Sequence, residues 1–206
     1  MRQLFKIGFE FKRNLILPSI CENIISDVAK LDIVNLDTRV DILNSEVRIW
    51  RAERYFPSVK KLLTDEFLEP YEELFGQKFS FCIYNEVSPG TIGSGGGWHR
   101  DTRFKDQYKI LIYLTDCESR AEGCFEYIPK SHTKLNLYRL LTFSELFGKP
   151  RFKLLTNILN FLGQDLGGKK GDAIFVNTTG IHKGNSVSIG KRKAITLYFD
   201  NGVKFD

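Results

Sequence analysis

The sequence predicts an all-β core with flanking helices, arranged as a β-sandwich or jelly roll. Apolar residues recur at helical spacing in the first part of the chain, and from Lys78 onward they alternate with polar residues. Glycine-rich turns separate the later segments. Helices that lead into many short strands are typical of two packed sheets with helices on an outer face.

The chain has the size and composition of one globular domain, with 206 residues, of which 42% are hydrophobic and 27% charged. We therefore predict a single domain over residues 1–206. Its mainly helical N-terminal part covers residues 1–77, and its jelly-roll core covers residues 78–206. The sequence contains no internal repeat and no low-complexity segment.

Two helices are predicted within residues 1–77. Apolar side chains recur at helical spacing over residues 18–31, and Pro18 suits the first turn of a helix. The same spacing recurs over residues 58–75. We expect Pro70 to kink or split this second helix, because proline removes a backbone hydrogen bond.

Strands are predicted wherever the apolar period changes to two. The first covers residues 79–87, where Phe79, Phe81 and Ile83 alternate with more polar residues. Residues 140–166 interrupt the series and are predicted to form one or two short helices with an apolar stripe. The remaining strands are predicted at residues 108–115, 124–128, 173–177 and 194–199.

Charge and cysteine content limit the possible partners and the cellular setting. The net charge of +5 favours an anionic small molecule, and the short, dispersed basic runs accompany no nucleic-acid-binding motif. The four cysteines form no CxxC pair, and no apolar run suits a signal peptide or a membrane span. We therefore expect a cytoplasmic protein that binds neither nucleic acid nor a membrane.

Two histidines and one aspartate are candidate metal ligands. His99 and Asp101 are two residues apart, so on an extended strand both side chains point to the same face. His182 follows the strand predicted at residues 173–177. Two histidines and one carboxylate that leave other coordination positions open are the pattern of non-haem Fe(II) oxygenases. The spacing alone leaves a second interpretation open, in which His99 lies in a surface loop and His182 in a turn.

Three blocks of sequence, spread over residues 79–200, carry a more specific signal. They are Trp98-His-Arg-Asp101 with the apolar strand that follows it, Glu122-Gly-Cys-Phe-Glu-Tyr-Ile-Pro-Lys-Ser-His132, and Gly171-Asp-Ala-Ile-Phe-Val-Asn-Thr-Thr-Gly-Ile-His182 with the strand from Arg192 to Phe199. In their nature and order these blocks resemble the phytanoyl-CoA dioxygenase family, a branch of the 2-oxoglutarate oxygenases. Residues 1–77 carry no motif that resembles the family.

The resemblance implies a double-stranded β-helix, the jelly-roll fold also found in cupins, with a metal at the open end of the barrel. It implies that His99, Asp101 and His182 bind Fe(II). It also implies that Arg192 pairs with the distal carboxylate of the cosubstrate 2-oxoglutarate, because a planar guanidinium can bind both carboxylate oxygens.

Lys193 is an alternative to Arg192 as the 2-oxoglutarate ligand. Strand alternation favours Arg192, because it shares a small, polar face with Thr196, whereas Lys193 shares an apolar face suited to packing under helices. Thr196 is therefore a further candidate contact of 2-oxoglutarate. Asn85 and Tyr84, on opposite faces of the strand before the metal motif, are two more.

Two neighbouring features have structural interpretations. The resemblance implies that His132 closes a turn and binds no metal. The family usually has a glycine where this chain has Lys130, and this difference bears on the geometry of the turn, not on the chemistry of the site. The glycine cluster at residues 93–97 lacks the ending of a phosphate loop and is interpreted as a mobile loop that closes over the substrate.

The resemblance implies an oxygenase whose partners are a small-molecule substrate and dioxygen. Its cofactors would be Fe(II) and 2-oxoglutarate, the latter converted to succinate and carbon dioxide, and hydroxylation would be the default outcome. Asp101 disfavours halogenation, because related halogenases lack this carboxylate. Two alternatives stay open, namely a cupin-like metalloenzyme that does not use 2-oxoglutarate and a non-catalytic binding module. Arg192 argues against the first, and the intact triad argues against the second.

The helical insert at residues 140–166 has two interpretations. It could shape the substrate entrance, with Lys149, Arg151 and Lys153 facing an anionic substrate, since loops on a rigid scaffold often carry specificity. Alternatively, it could form a helical pair that covers the back of a sheet.

Overall fold

The computed structural model describes residues 2–43, 45–90, 97–101, 106–133 and 153–201. The helices are α1 (Arg2–Ile7), α2 (Pro18–Ala29), α3 (Pro57–Leu62), α4 (Asp65–Phe75) and α5 (Lys153–Leu162). The strands are β1 (Phe9–Lys12), β2 (Val40–Leu43), β3 (Glu46–Trp50), β4 (Lys78–Val87), β5 (Tyr108–Tyr113), β6 (Phe125–Tyr127), β7 (Gln164–Leu166), β8 (Ala173–Asn177), β9 (His182–Gly184) and β10 (Arg192–Asp200).

The strands form two antiparallel sheets. Within the described residues, the large sheet has seven strands in the order β1-β8-β5-β10-β4-β3-β2, and the small sheet has the order β7-β6-β9. An isolated bridge between His99 and His182 continues the small sheet beyond β9. The arrangement confirms the predicted all-β core with flanking helices.

The two faces of the large sheet pack against different partners. On the outer face, Ile195, Leu197 and Phe199 of β10 are fully buried under the helices, where they join Ile24 of α2 and Phe75 of α4. Side chains alternate along a strand, so the other residues of β10 point toward the small sheet. The inner face joins the small sheet through Tyr113, Ile174, Val176, Phe125 and Tyr127. Helices α2, α3 and α4 therefore cover the outer face of the large sheet, as predicted.

The N-terminal part contributes three strands that the sequence pattern does not predict. β1 pairs with β8 at one edge of the large sheet, whereas β2 and β3 form a hairpin whose second strand pairs with β4. These strands have four or five residues each, which is too short for a clear period. β3 does alternate polar and apolar residues over Glu46-Val-Arg-Ile49, but a run of four is the shortest that indicates a half-buried strand.

The second predicted helix is split, but not at the expected residue. The break falls at Leu63 and Thr64, between α3 and α4, and Pro70 lies inside α4. Thr64 starts the new helix because its hydroxyl accepts a hydrogen bond from the backbone N–H of Phe67 at 3.3 Å. Among the described helices, none is long and apolar enough to cross a bilayer.

The insert at residues 140–166 is only partly described, since residues 140–152, with Lys149 and Arg151, lie outside the described ranges, as does the side chain of Lys153. Helix α5 confirms a helical segment, but residues 164–166 form strand β7, which corrects the prediction there. Leu159 of α5 packs against Trp98 and Ile181 on the outside of the small sheet. The described part therefore covers a sheet.

Packing under the helices makes Phe199 a strong determinant of stability. We expect Phe199→Ala to lower the free energy of unfolding by about 3–5 kcal/mol, because a fully buried ring leaves a cavity. Chemical denaturation measures the loss. Phe161→Ala is the matched control, since that ring is 88% exposed, and it should change the value by less than about 0.5 kcal/mol. Equal losses in the two variants would contradict the assigned core.

Candidate metal centre

The structure brings the three predicted metal ligands together through backbone pairing. The N–H of His99 donates to the carbonyl of His182, and the N–H of His182 donates to the carbonyl of His99, both at 2.9 Å. The N–H of Asp101 donates to the carbonyl of Thr178 at 3.2 Å, which continues the pairing. The two imidazole rings lie on the same side, with their centres 4.5 Å apart.

The ligand atoms converge on one point. Nε2 of His99 lies 3.7 Å from Oδ1 of Asp101, and Nε2 of His182 lies 3.5 Å from Oδ2 of the same carboxylate. One ligand atom from each residue lies within 4.8 Å of the others. Small side-chain adjustments would bring these atoms to the roughly 2.0–2.2 Å at which such ligands bind a metal.

Hydrogen bonds to the other ring nitrogens orient both imidazoles. Nδ1 of His99 lies 2.7 Å from the carbonyl oxygen of Gly97, and Nδ1 of His182 lies 2.9 Å from that of Gly180. When Nδ1–H donates to a carbonyl, the lone pair of the neutral ring is on Nε2. This is the usual support of a metal-binding histidine.

The electrostatics keep two of the ligands in the forms that metals bind. Burial, with a smaller effect from His182, lowers the pKa of His99 to about 4, so its ring is neutral near pH 7. Burial alone would raise the pKa of Asp101. The charge of Lys109 and the nearby imidazoles outweigh it and hold that pKa well below its ordinary value. A neutral imidazole and a carboxylate are the metal-binding forms of these side chains.

The turn before His182 is packed too tightly for a side chain at residue 180. A Cβ added to Gly180 would lie 1.7 Å from the hydroxyl oxygen of Tyr127 and 3.0 Å from that of Ser131. The Tyr127 hydroxyl donates to the carbonyl of Asn177 at 2.9 Å, so the ring is held in place. Glycine therefore lets the chain reverse between β8 and β9 and bring His182 back to the site.

The ligands border a cavity of about 350 Å³ between the two sheets. Its walls come from the inner faces of β3, β4, β5 and β10, together with Phe125, Val176 and Thr178. Cavities of this size suit small molecules. Its polar and charged lining, apart from the metal ligands, includes Arg48, Asn85, Lys109, Arg192 and Thr196.

Arg192 is buried in this cavity without a carboxylate partner among the described residues. It is 3% exposed, and its guanidinium donates to the carbonyl of Gly123 at 2.5 Å and to Oδ1 of Asn85 at 3.2 Å. Its buried Nε has no hydrogen-bond partner within the described ranges. A buried, unpaired cation is costly, so the geometry suits an anionic ligand.

The structure separates the other candidate contacts of 2-oxoglutarate. Asn85 and Thr196 line the cavity with Arg192. Lys193 points to the opposite face of β10, where its Nζ lies 3.2 Å from Glu86. Tyr84 is also on the opposite face of its strand, buried in the outer core. The expectation that Tyr84 contacts 2-oxoglutarate is therefore corrected, and alternation with Asn85 gives the reason.

Three residues that line the cavity are not predicted from the sequence. Lys109 lies on the inner face of β5, and its Nζ is 2.5 Å from Oδ2 of Asp101. A single charge within an otherwise apolar strand is a signal that could have identified it. Arg48 and Trp50 line the cavity from β3, a five-residue strand that is not among the predicted strands.

The comparison with protein families decides the identity of this arrangement. The family profile described as phytanoyl-CoA dioxygenase (PhyH) matches residues 27–194, which is 168 of the 206 residues (194 − 26). The chain belongs to this family. With its three-ligand cluster, the protein is an iron- and 2-oxoglutarate-dependent oxygenase or a related enzyme. No curated protein matches the sequence.

Solved structures share the fold at low sequence identity. HygX from Streptomyces hygroscopicus, with nickel and 2-oxoglutarate bound, is 17% identical with a TM-score of 0.70, over 98% of this chain and 87% of HygX. AviO1 from Streptomyces viridochromogenes Tue57 is 14% identical with a TM-score of 0.71, over 100% and 95%. The epimerase SnoN from nogalamycin biosynthesis is 10% identical with a TM-score of 0.71, over 97% and 80%. These likenesses confirm the double-stranded β-helix fold.

The turn at Lys130 keeps the conformation for which glycine is suited. Lys130 has a φ of +63°, in the left-handed region. The turn that follows places the Ser131 hydroxyl 2.7 Å from the N–H of Ile181, which donates to it. His132 lies beside the carbonyl of Phe5, at 3.2 Å from its Nε2, and does not line the cavity. The glycine cluster at residues 93–97 lies outside the described residues except for Gly97.

Helix α5 supports the outer side of the strands that carry the histidines. Because side chains alternate, Trp98 and Lys183 point away from the cavity, next to His99 and His182. Oδ1 of Asn160 on α5 accepts hydrogen bonds from Nε1 of Trp98 and Nζ of Lys183, both at 2.9 Å. The ammonium of Lys183 also lies 4.6 Å from the centre of the Trp98 ring. One amide thus joins the two ligand-bearing segments.

We expect Asn160→Leu to weaken Co(II) binding roughly tenfold, at the low end of the 10- to 100-fold loss typical when the support of a metal ligand is removed. Calorimetric titration of the metal-free protein measures the affinity. Asn157→Leu, at an exposed position three residues earlier on α5, should leave it unchanged. If both variants bind Co(II) equally well, the Asn160 amide does not position the histidines.

Proposed function

We propose that the protein is an Fe(II)- and 2-oxoglutarate-dependent dioxygenase that hydroxylates a small metabolite. One observation carries the proposal: the three-ligand cluster and a buried guanidinium with an unpartnered donor border the same cavity. The first suits a divalent metal with open coordination positions, and the second suits the carboxylate of a cosubstrate.

The residues divide the binding tasks among them. His99, Asp101 and His182 would hold iron, which together with 2-oxoglutarate supplies oxidising power from dioxygen while 2-oxoglutarate becomes succinate and carbon dioxide. Arg192 binds the distal carboxylate of 2-oxoglutarate through the edge that carries its free Nε. Oδ1 of Asn85 accepts a hydrogen bond from this guanidinium and holds it in place.

The position of Asn85 is itself fixed from the neighbouring strand. Its Nδ2 donates to Oε1 of Glu46 at 2.6 Å, and Glu46 is buried. The amide is thus held at both ends, since its oxygen accepts from Arg192. A guanidinium held in this way loses little rotamer freedom when it binds a carboxylate. Thr196 lies on the same face of β10 and borders the path between Arg192 and the metal ligands.

The substrate would occupy the half of the cavity remote from Arg192. There the rings of Phe81 and Tyr198 stack with centres 4.5 Å apart, and Trp50 lies 5.6 Å from Phe81. This wall suits a flat or apolar face of the substrate. The net charge of +5 favours an anionic metabolite.

Structural neighbours support a small-molecule substrate and suggest a second possible outcome. HygX has been crystallised with hygromycin B, and SnoN with nogalamycin RO. SnoN is described as an epimerase and SnoK as a carbocyclase, both dependent on α-ketoglutarate. Epimerisation or ring closure is therefore the second candidate. Mass spectrometry distinguishes them, because hydroxylation adds one oxygen atom to the substrate and epimerisation leaves its mass unchanged.

The metal site predicts different behaviour for the three histidines of the chain. Purified protein should bind about one Fe(II) per chain, and His99→Ala or His182→Ala should abolish this binding, because each removes one of three ligands. His132→Ala is the matched control and should bind Fe(II) normally. Metal content after anaerobic loading measures the result. Full Fe(II) affinity in a His99/His182 double variant would exclude the assigned site.

Arg192 and Lys193 form a second matched pair. Arg192→Ala should weaken 2-oxoglutarate binding to the metal-loaded protein by roughly 30- to 1000-fold, or about 2–4 kcal/mol, because a charge-assisted contact in a buried site is lost. Lys193→Ala, which removes a lysine on the other face of β10, should leave that affinity unchanged. Calorimetry measures both. If Lys193→Ala weakens 2-oxoglutarate binding and Arg192→Ala does not, the 2-oxoglutarate site lies on the other face of the strand.

Succinate formation separates this proposal from the other functions considered. A cupin-like metalloenzyme that does not use 2-oxoglutarate would bind the metal but release no succinate. A binding module would retain its ligand unchanged. Fe(II)-dependent release of succinate by the wild-type protein, lost in His99→Ala, supports the dioxygenase.

A further inference from the structure

Lys109 is a charged side chain in an otherwise apolar segment of the large sheet. Its neighbours on β5 are Tyr108 and Ile110, and all three are buried. The side chain points into the cavity, where its ammonium lies 2.5 Å from Oδ2 of Asp101 and 4.0 Å from the centre of the Tyr198 ring. The lysine is thus held between an aromatic face and a metal ligand.

The position of Lys109 makes it a poor second anchor for the distal carboxylate of 2-oxoglutarate. In the sheet, Lys109 pairs with Tyr198, and Arg192 lies six residues before Tyr198 on β10 (198 − 192). At about 3.3 Å per residue, their strand positions are roughly 20 Å apart. Lys109 therefore acts at the metal end of the cavity.

The ammonium of Lys109 engages only one of the two oxygens of the Asp101 carboxylate. Oδ2 accepts from Lys109 and also lies 3.5 Å from Nε2 of His182, while Oδ1 lies 3.7 Å from Nε2 of His99. A carboxylate without such a partner can bind a metal through both oxygens. Doing so would fill a coordination position that a bidentate cosubstrate or dioxygen needs.

We propose that Lys109 is a positioning residue that restricts Asp101 to ligation through a single oxygen. This inference rests on the proposed function, since it concerns the same metal and 2-oxoglutarate. The ammonium keeps one carboxylate oxygen engaged, and the Tyr198 ring fixes the ammonium from the other side. The coordination positions that the protein ligands do not fill would then stay open for 2-oxoglutarate.

A purely structural role explains the contact less well. Replacing a buried ion pair by apolar residues is often neutral or stabilising, so fold stability alone does not require a lysine here. The next inner-face residues of β5, Leu111 and Tyr113, show that apolar and aromatic side chains fit this wall. The charge is placed where it meets a metal ligand.

The test compares the full chain with Lys109→Met, Lys109→Arg and the control Lys193→Met, a half-buried lysine paired with Glu86 on the other face of the sheet. Each protein is titrated with Co(II) and then with 2-oxoglutarate by calorimetry. The visible spectrum of bound Co(II), which reports the coordination geometry, is recorded before and after 2-oxoglutarate is added.

We expect Lys109→Met to bind Co(II) at least as tightly as the wild type, because a cation that repels the metal is removed. Its 2-oxoglutarate affinity should fall at least about tenfold, and its Co(II) spectrum should differ from that of the wild type before 2-oxoglutarate is added. Lys109→Arg should restore most of the affinity and the spectrum, and Lys193→Met should match the wild type.

Two outcomes would overturn the inference while leaving the proposed function intact. The first is a Lys109→Met variant whose spectrum and 2-oxoglutarate affinity equal those of the wild type. The second is a parallel loss of Co(II) and 2-oxoglutarate affinity, which would mean that Lys109 only helps the site to assemble. If the wild type binds Co(II) but no 2-oxoglutarate, the proposed function fails, and this inference fails with it.

Discussion

The reciprocal backbone pairing of His99 with His182 is the interaction on which the site depends. Two hydrogen bonds join residues 83 positions apart in sequence (182 − 99), and strand alternation then sends both imidazoles to one side. Asp101, two residues further on, shares that side. A shift of one residue in either segment would turn its imidazole outward and bring Trp98 or Lys183 into the cavity. The hydrogen bonds from Trp98 and Lys183 to Asn160 of α5 therefore stabilise the register that places the histidines in the cavity.

The hydrophobic core sets the chemistry of the cavity in a similar way. Ile195, Leu197 and Phe199 are buried under the helices, so the intervening residues of β10 must face the small sheet. That parity places Arg192 inside and Lys193 outside. Of these two adjacent cations, only the arginine has a planar guanidinium that can bind both oxygens of a carboxylate. Apolar packing on the opposite face of the sheet thus determines which of the two lies in the cavity.

Local patterns in the sequence predict much of this site, and contacts between distant segments account for the rest. The spacing of His99 and Asp101 and the alternation around Arg192 follow from the period of a strand, so both could be predicted. Lys109 stands out as the single charge within β5, but its contact with Asp101 follows from the packing of β5 beside that residue, which no local pattern reveals. The sequence offers two possible positions for the helix break, the Thr64 side-chain cap and Pro70. The pattern of residues alone does not decide between them.

The three cations that line the cavity differ in what balances their charge. Nε of Arg48 lies 2.7 Å from a carboxylate oxygen of Glu46, and Nζ of Lys109 lies 2.5 Å from one of Asp101. Arg192 is the most buried of the three, and its described partners are a carbonyl and an amide, neither of which carries a charge. Because a buried charge requires a counter-charge, this end of the cavity is built to receive an anion. That unbalanced charge lies at the far end of the cavity from the aromatic wall of Phe81 and Tyr198, so the proposed sites for the cosubstrate and the substrate lie at opposite ends of one cavity.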